Sequence, residues 1–163
     1  MIKLVSTVCF IIVNKENKIL LIKRCEEKKT EELKDDKIKL SPNNNIVKED
    51  VIEEEWMIPS GNLDDNDDSR EVISREVKKC LECELGECSY FNIYFYNISD
   101  NFIKKTSYFY GTVEGDINIS NKSLIAEWID LSKGEIDRLN IVPEQKEALN
   151  DFLIFHQNKI NKN

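Results

Sequence analysis

The chain has 163 residues, 40% of them hydrophobic, which suffices for one domain with its own core and leaves no room for a second large one. Its 31 acidic and 23 basic residues give a formal net charge of −8 at pH 7. Duplex nucleic acid and anionic membrane surfaces attract basic proteins, so neither is an expected partner.

Apolar segments and cysteines indicate the compartment. The longest apolar stretch, residues 5–13, is interrupted by Ser6 and Thr7, is far shorter than a membrane span and is followed by no small-residue cleavage site, so neither an anchor nor a signal peptide is expected. We therefore expect a cytoplasmic protein, in which the five cysteines stay reduced and form no disulfide framework. The single histidine, His156, argues against mechanisms that need two or three histidines.

The first part of the chain contains two apolar runs followed by a polar segment. Residues 5–13 and 18–24 are rich in β-branched side chains and are separated by a polar turn, which predicts a β-hairpin. The segment at about 25–55 is highly charged and buries little apolar surface, so we expect a mobile insertion within a single domain that spans 1–163. The insertion is interpreted as a solvated loop, with a lid over a site as the alternative.

The middle of the chain predicts a short strand, an acidic loop and a helix. The strand, residues 56–61, ends in a turn, and Ser69 is the expected N-cap of the helix that follows the loop. Three apolar residues then recur at helical spacing: Ile73, Val77 and Leu81. Their spacing predicts that one face of this helix packs on the core.

The last part of the chain predicts strands and a closing helix. Residues 90–98 and 106–113 are aromatic and β-branched and predict a second hairpin, and residues 124–131 predict another strand. Pro143 begins the final helix. Its apolar face is formed by four residues: Ala148, Leu149, Phe152 and Leu153. The order of elements indicates an α+β domain whose sheet is covered by a central and a C-terminal helix.

The chemically informative segment is residues 61–83. It resembles the Nudix box, in which a glycine is followed after five residues by Glu, and after seven more by Arg-Glu, an aliphatic residue, any residue, Glu-Glu, any residue, glycine and an aliphatic residue. Four positions match in register: Gly61, Arg75, Glu76 and Val77. The resemblance to the Nudix family covers nearly the whole chain apart from the insertion, and it implies an α/β/α sandwich with a mixed β-sheet.

Three positions of the box helix are spaced i, i+3 and i+4, so that their side chains share one helical face. In the family they are glutamates that hold Mg²⁺ against a pyrophosphate, whereas here they are Glu76, Lys79 and Cys80. The change raises the formal charge of the site by three, two for Lys79 and one for Cys80, which weakens its attraction for a hard divalent ion. Glu82 takes the place of a glycine near the helix end, which allows the helix to run longer.

The resemblance assigns roles to the residues that remain. It implies that Glu76 is the catalytic residue or a metal ligand, and that Asp67, at the position of the first box Glu, is a second ligand for Mg²⁺ or Mn²⁺. A structural brace is the preferred interpretation for Asp67 and Arg75, because the carboxylate and the guanidinium can pair across the junction of loop and helix, and a brace for the loop is an equal alternative for Glu76. Three residues are candidates for binding the substrate: Arg24, Gly61 and Lys79.

Two functions follow from the resemblance. The first is a pyrophosphohydrolase that acts on a nucleoside diphosphate linked to another moiety, with Mg²⁺ or Mn²⁺ at an impaired or atypical site. The alternative is a catalytically inactive, Nudix-derived module that binds a phosphorylated metabolite or a protein partner. Lys79 favours this alternative, because its ammonium can attract phosphate directly and no metal is then required.

Other acidic and thiol groups leave minor alternatives open. The loop aspartates are interpreted as a solvated acidic loop, with replacement of the lost metal ligands as the alternative: Asp64, Asp65 and Asp68. Cys80, Cys83 and Cys88 raise the possibility of a thiol-bound soft metal, for which no fourth ligand is evident.

Overall fold

The computed structural model describes residues 1–24 and 54–162. Within them the strands are β1 (Lys3–Ile12), β2 (Lys18–Arg24), β3 (Ser60–Leu63), β4 (Glu84–Ser99), β5 (Phe102–Glu114) and β6 (Leu124–Asp130). The helices are α1 (Ser69–Leu81), α2 (Lys133–Arg138) and α3 (Pro143–Asn161). Most of the insertion expected at about 25–55, namely residues 25–53, lies outside the described residues. No helix in the described ranges is both long and apolar enough to cross a membrane.

Two sheets lie between the helices. The larger has the strand order β3-β1-β5-β4, in which β1 and β5 run parallel while the other neighbours are antiparallel. The smaller is an antiparallel pair of β2 and β6. The buried residues form two core clusters. One lies between the strands and α1, and the other lies between the strands and the helices α2 and α3. The α/β/α arrangement with a mixed sheet is thus confirmed.

Strand β1 has both of its faces buried. Val8, Phe10 and Ile12 belong to the cluster with α1, and the alternate residues Cys9 and Ile11 belong to the cluster with α3. This alternation follows from the two-residue period of a strand. Because both faces are covered, the sequence is a continuous apolar run instead of an alternating pattern.

The predicted hairpin of β1 and β2 is wrong. A tight turn does connect them, in which the Asn14 side chain accepts hydrogen bonds from the backbone N–H groups of Glu16 and Lys18, each at 2.9 Å. Beyond the single bridge between Val13 and Ile19, however, the strands separate into different sheets. Both edges of β1 are taken by β3 and β5, so no edge is left for β2, which pairs with β6 instead.

Helix α1 differs from the prediction at both ends. Asp68, not Ser69, is the N-cap, and its side chain makes no capping hydrogen bond. The helix ends at Leu81 and does not run longer, because Glu82 adopts the left-handed conformation with φ of 56° that a glycine would take there. The Glu82 carboxylate accepts a hydrogen bond from the Ser120 N–H at 3.1 Å. This contact offsets part of the roughly 1–2 kcal/mol that a left-handed residue with a side chain costs.

The remaining elements largely agree with the sequence. The second hairpin is confirmed as β4 and β5, both longer than predicted, and the strand and closing helix near the C-terminus are confirmed as β6 and α3. The strand expected at 56–61 is shifted to β3, because Trp56 and Met57 make only isolated bridges. Helix α2, which was not predicted, begins after Ser132, whose side chain accepts a hydrogen bond from the Glu135 N–H at 3.2 Å.

Candidate functional site

A cleft of about 360 Å³ lies where the end of β2 meets α1 and the loop before β6. Arg24 enters it from the last position of β2, and Glu76 and Lys79 enter it from α1. Asn121 and Ser123 line it from the loop. The structure therefore brings three sequence-predicted site residues together in one cleft: Arg24, Glu76 and Lys79.

Helix α1 fixes the direction of its two cleft residues. Glu76 follows the buried residues Val72 and Ile73 by four and three positions, so its side chain emerges at the border of the core face, and it lines the cleft there together with Lys79. The two side chains are three residues apart and therefore neighbours on the helix surface. Glu76 is half-buried, whereas Lys79 is exposed.

Gly61 lets β3 approach this helix closely. A Cβ at Gly61 would lie 2.9 Å from both Glu76 Cγ and Val72 Cγ1, which is closer than real Cβ contacts. Gly61 lines a small pocket beside Glu76 that also contains Ser60, and it is not part of the lining of the larger cleft. Gly61 therefore packs against the Glu76 side chain and does not itself line the cleft.

The described residues that line the cleft include two cations and one carboxylate. Arg24 and Lys79 supply the positive charges and Glu76 the negative one. Burial, and then the neighbouring Glu76 carboxylate, raise the pKa of the Cys80 thiol above its ordinary value of 9.0. At neutral pH this thiol is therefore protonated and adds no negative charge. Among the described lining residues, the cations therefore outnumber the carboxylates.

Comparison with solved structures identifies the fold. No protein-family model matches the sequence, and a search of curated proteins gives no match. The ORF135 protein of E. coli is 15% identical with a TM-score of 0.67, over 95% of this chain and 92% of that one. MutT protein from Methanosarcina mazei Go1 is 16% identical with a TM-score of 0.65, over 100% and 99%. The MutT NUDIX hydrolase from Burkholderia pseudomallei is 16% identical with a TM-score of 0.60, over 91% and 97%.

The chain has a Nudix-like fold. The expected fold class is thereby confirmed, and the segment 61–83 occupies the loop and helix that its resemblance to the Nudix box implied. The identities of 15% and 16% describe a shared backbone, so the chemistry must be read from the side chains of this chain.

The loop of the Nudix-like segment is closed by its own aspartates. The Asp67 side chain accepts a hydrogen bond from the Asp64 N–H at 2.8 Å, and the Asp67 N–H donates to the Asp64 carbonyl at 3.0 Å. Between residues 54 and 162 the structure shows no ion pair of Asp67 with Arg75, and neither residue lines the cleft. The expected brace is thus not present as an ion pair, and Asp67 instead stabilises the turn.

The described residues do not provide the set of oxygen ligands that a hard divalent ion needs. They contain no group of three or more His, Cys, Asp or Glu side chains that could hold a metal. In the cleft, one carboxylate faces an ammonium and a protonated thiol, and Mg²⁺ prefers several oxygen ligands. Three loop aspartates are exposed and do not line the cleft: Asp64, Asp65 and Asp68.

The three thiols considered as soft-metal ligands have separate surroundings. Cys80 borders the cleft. Cys83 is buried just beyond α1, and its thiol donates to the Asp116 carbonyl at 3.3 Å. Cys88 is buried in the core cluster beneath α1. Among the described residues they do not form a metal-holding group.

Sequence reasoning missed the wall formed by Asn121 and Ser123. The loop that carries them is attached to the end of α1, where the Asn118 N–H donates to the Leu81 carbonyl at 2.9 Å and the Ser120 N–H donates to the Glu82 carboxylate. These hydrogen bonds join residues that are far apart in the chain, so no local sequence pattern predicts them. The polar loop before β6 is thereby placed beside the cleft, where Asn121 and Ser123 form part of the lining.

Proposed function

We propose that this chain is a Nudix-fold protein that binds a phosphorylated, nucleotide-like small molecule in the cleft described above. The observation that carries the proposal is the convergence of Arg24 and Lys79 on one cleft of about 360 Å³. A guanidinium binds phosphate oxygens in pairs, and an ammonium adds a point charge. The volume lies in the range of small-molecule sites.

The role of Lys79 follows from its position on α1. It stands where the Nudix box has a carboxylate, and its charge supplies part of the positive charge that a metal ion would bring to the phosphates. Asn121 and Ser123 add neutral hydrogen-bonding groups on the facing wall. Ile22 and Met57 add apolar surface, which suits the less polar part of such a ligand.

Calorimetric titration with ADP-ribose, ADP and inorganic pyrophosphate, in the absence of divalent ions, tests the proposal. We expect Lys79→Gln to weaken binding by about tenfold or more, since a hydrogen bond to a charged group contributes roughly 1.5–3 kcal/mol. Lys78→Gln is the matched control, because Lys78 is exposed and pairs with Glu84 at 3.0 Å outside the cleft. Equal affinities of the two variants would contradict the proposed phosphate contact.

Pyrophosphate hydrolysis is the second candidate, and the position of Glu76 favours it. This half-buried carboxylate shares the cleft with both cations, and the similar protein from Burkholderia pseudomallei is described as a NUDIX hydrolase. In this candidate Glu76 accepts a proton from the water that attacks a phosphoanhydride phosphorus, and the bond to the bridging oxygen breaks. Mg²⁺ or Mn²⁺ is the cofactor that the resemblance implies for it.

Hydrolysis is tested by product analysis after incubation with each metal ion. The panel contains nucleoside di- and triphosphates, dinucleoside polyphosphates, ADP-ribose and NADH. If Glu76 acts in catalysis, Glu76→Gln abolishes turnover while ligand binding persists. Turnover that is insensitive to this substitution would exclude Glu76 as the catalytic residue, whereas no turnover with any compound would leave binding as the function. We further propose that the chain acts as a single domain in the cytoplasm, where its thiols remain reduced.

A further inference from the structure

Strand β4 is an edge of the four-stranded sheet and has an unusual composition. Among the described residues it pairs only with β5, and none of them forms a strand along its other side. Residues 88–99 contain no charged side chain, although 33% of the whole chain is charged. Three large hydrophobic side chains on it are more than half exposed: Tyr90 at 51%, Phe95 at 63% and Ile98 at 57%. Protein edge strands usually carry charges that prevent pairing, and in this one the charges are confined to its first four residues, with Glu84 and Glu87.

The opposite edge of the same sheet provides a contrast. Strand β3 is only four residues long, Ser60–Leu63, and leads directly into the acidic loop 64–68. Shortness and charge are both features that protect an edge from pairing. Strand β4 has sixteen residues, and its pairing with β5 is regular from Asn92 to Asn97, between two register shifts.

The regular part of β4 is held in place from one face. The Tyr94 hydroxyl donates to the Asp151 carboxylate at 2.7 Å, and the Tyr96 hydroxyl donates to the Glu144 carbonyl at 3.4 Å. Both partners lie on α3. The backbone of the edge is therefore ordered before any partner arrives, which lowers the entropic cost of association.

We propose that the β4 edges of two copies of this chain pair in antiparallel fashion and join their sheets into one. The free N–H and C=O groups of an edge are satisfied best by another strand. Each copy carries a net charge of −8, so copies repel each other over most of their surface but not along the uncharged residues 88–99. Antiparallel pairing of identical strands about a two-fold axis is self-complementary and closes after two copies. A second copy is thus the partner that this edge fits.

Sedimentation equilibrium of the wild type and of Phe95→Lys tests the pairing. We expect the wild type to have the mass of two chains, and Phe95→Lys to raise the dissociation constant of the dimer by about tenfold or more, because each copy then brings a cation to the interface. Ile154→Lys is the matched control, since Ile154 is 59% exposed on α3. It should leave the dimer unchanged.

Hydrogen exchange at two protein concentrations locates the contact. Between Asn92 and Asn97, the alternate amides that point away from β5 should exchange more slowly in the dimer than in the dilute monomer, while the amides of β3 do not change. The proposal is overturned by a wild-type mass of one chain at every concentration, by assemblies larger than two, or by a dimer that survives Phe95→Lys with unchanged exchange in β4.

Discussion

Gly61 lies so close to the Glu76 side chain that a Cβ at position 61 would force a neighbouring side chain to shift. A Cβ at position 61 would lie 2.9 Å from Glu76 Cγ and from Val72 Cγ1. Strand β3 thereby supports the middle of α1, at the turn from which Glu76 reaches the cleft. The glycine that begins the Nudix-like segment thus has a packing role in this chain.

Gly61→Ala is expected to destabilise the protein by about 1–3 kcal/mol, because Val72 is buried and must shift to admit the methyl group. Glu76 shifts with it, so affinity for the phosphorylated ligand should fall as well. Urea denaturation and calorimetric titration measure the two effects. Gly134→Ala is the control, since nothing lies within 4 Å of its Cβ and alanine favours the helix in which it stands. Unchanged stability of the Gly61→Ala protein would contradict the close packing of β3 against α1.

Restoring the box carboxylates should create metal affinity. In the double variant Lys79→Glu with Cys80→Glu, three carboxylates occupy one face of α1 together with Glu76, which suits a hard divalent ion. We expect Mn²⁺ binding to become detectable by electron paramagnetic resonance, and metal-free binding of ADP-ribose to weaken. Lys78→Glu with Lys79 intact changes the charge of the helix but not of the cleft and should gain no site. Tight Mn²⁺ binding by the wild type would contradict this account.

Phe152 is the centre of the core between the sheet and α3. Its ring packs edge-on against Phe91 at 5.2 Å between centroids, and its side chain is fully buried. Phe152→Ala should cost about 3–5 kcal/mol in the free energy of unfolding, owing to lost burial and the cavity that remains. Ile154→Ala, two residues along the same helix but exposed, should change it by less than about 1 kcal/mol. Similar losses in both variants would be inconsistent with the packing.

His156 makes stability depend on pH. Burial and then the positive charge of Lys159 lower its pKa below 6.5 in the folded state. The unfolded chain therefore takes up a proton first as the pH falls, so the stabilising contribution is complete above about pH 6.5 and is lost between that value and the folded pKa. We expect the melting temperature to drop between about pH 7.5 and pH 5.5, and to drop less in His156→Gln. An identical drop in both proteins would assign the effect to other groups.

Local patterns predicted those parts of the fold that local physics decides. The helical repeat of Ile73, Val77 and Leu81 is buried as expected, and the spacing of Glu76 and Lys79 correctly placed both on one face. The hairpin of β1 and β2 failed because sheet pairing was decided by distant strands, which a local turn signal does not encode. The partner of β2 is therefore decided by the edges that the other strands leave open, and β2 pairs with β6.

The candidate site was predicted in the same uneven way. Glu76 and Lys79 were identified through the resemblance to the Nudix box and Arg24 from its position at the end of β2, and the three meet in the cleft. Asn121 and Ser123 were not identified, because their loop is placed by hydrogen bonds to the end of α1 and not by its own sequence. The helix end itself was misjudged, since the left-handed conformation of Glu82 depends on the same contacts.

Helix α1 and the loop before β6 are mechanically coupled through Leu81 and Glu82. Because the two hydrogen bonds at these residues attach the loop to the end of the helix, a substitution that displaces the end of α1 is expected to displace Asn121 and Ser123 as well.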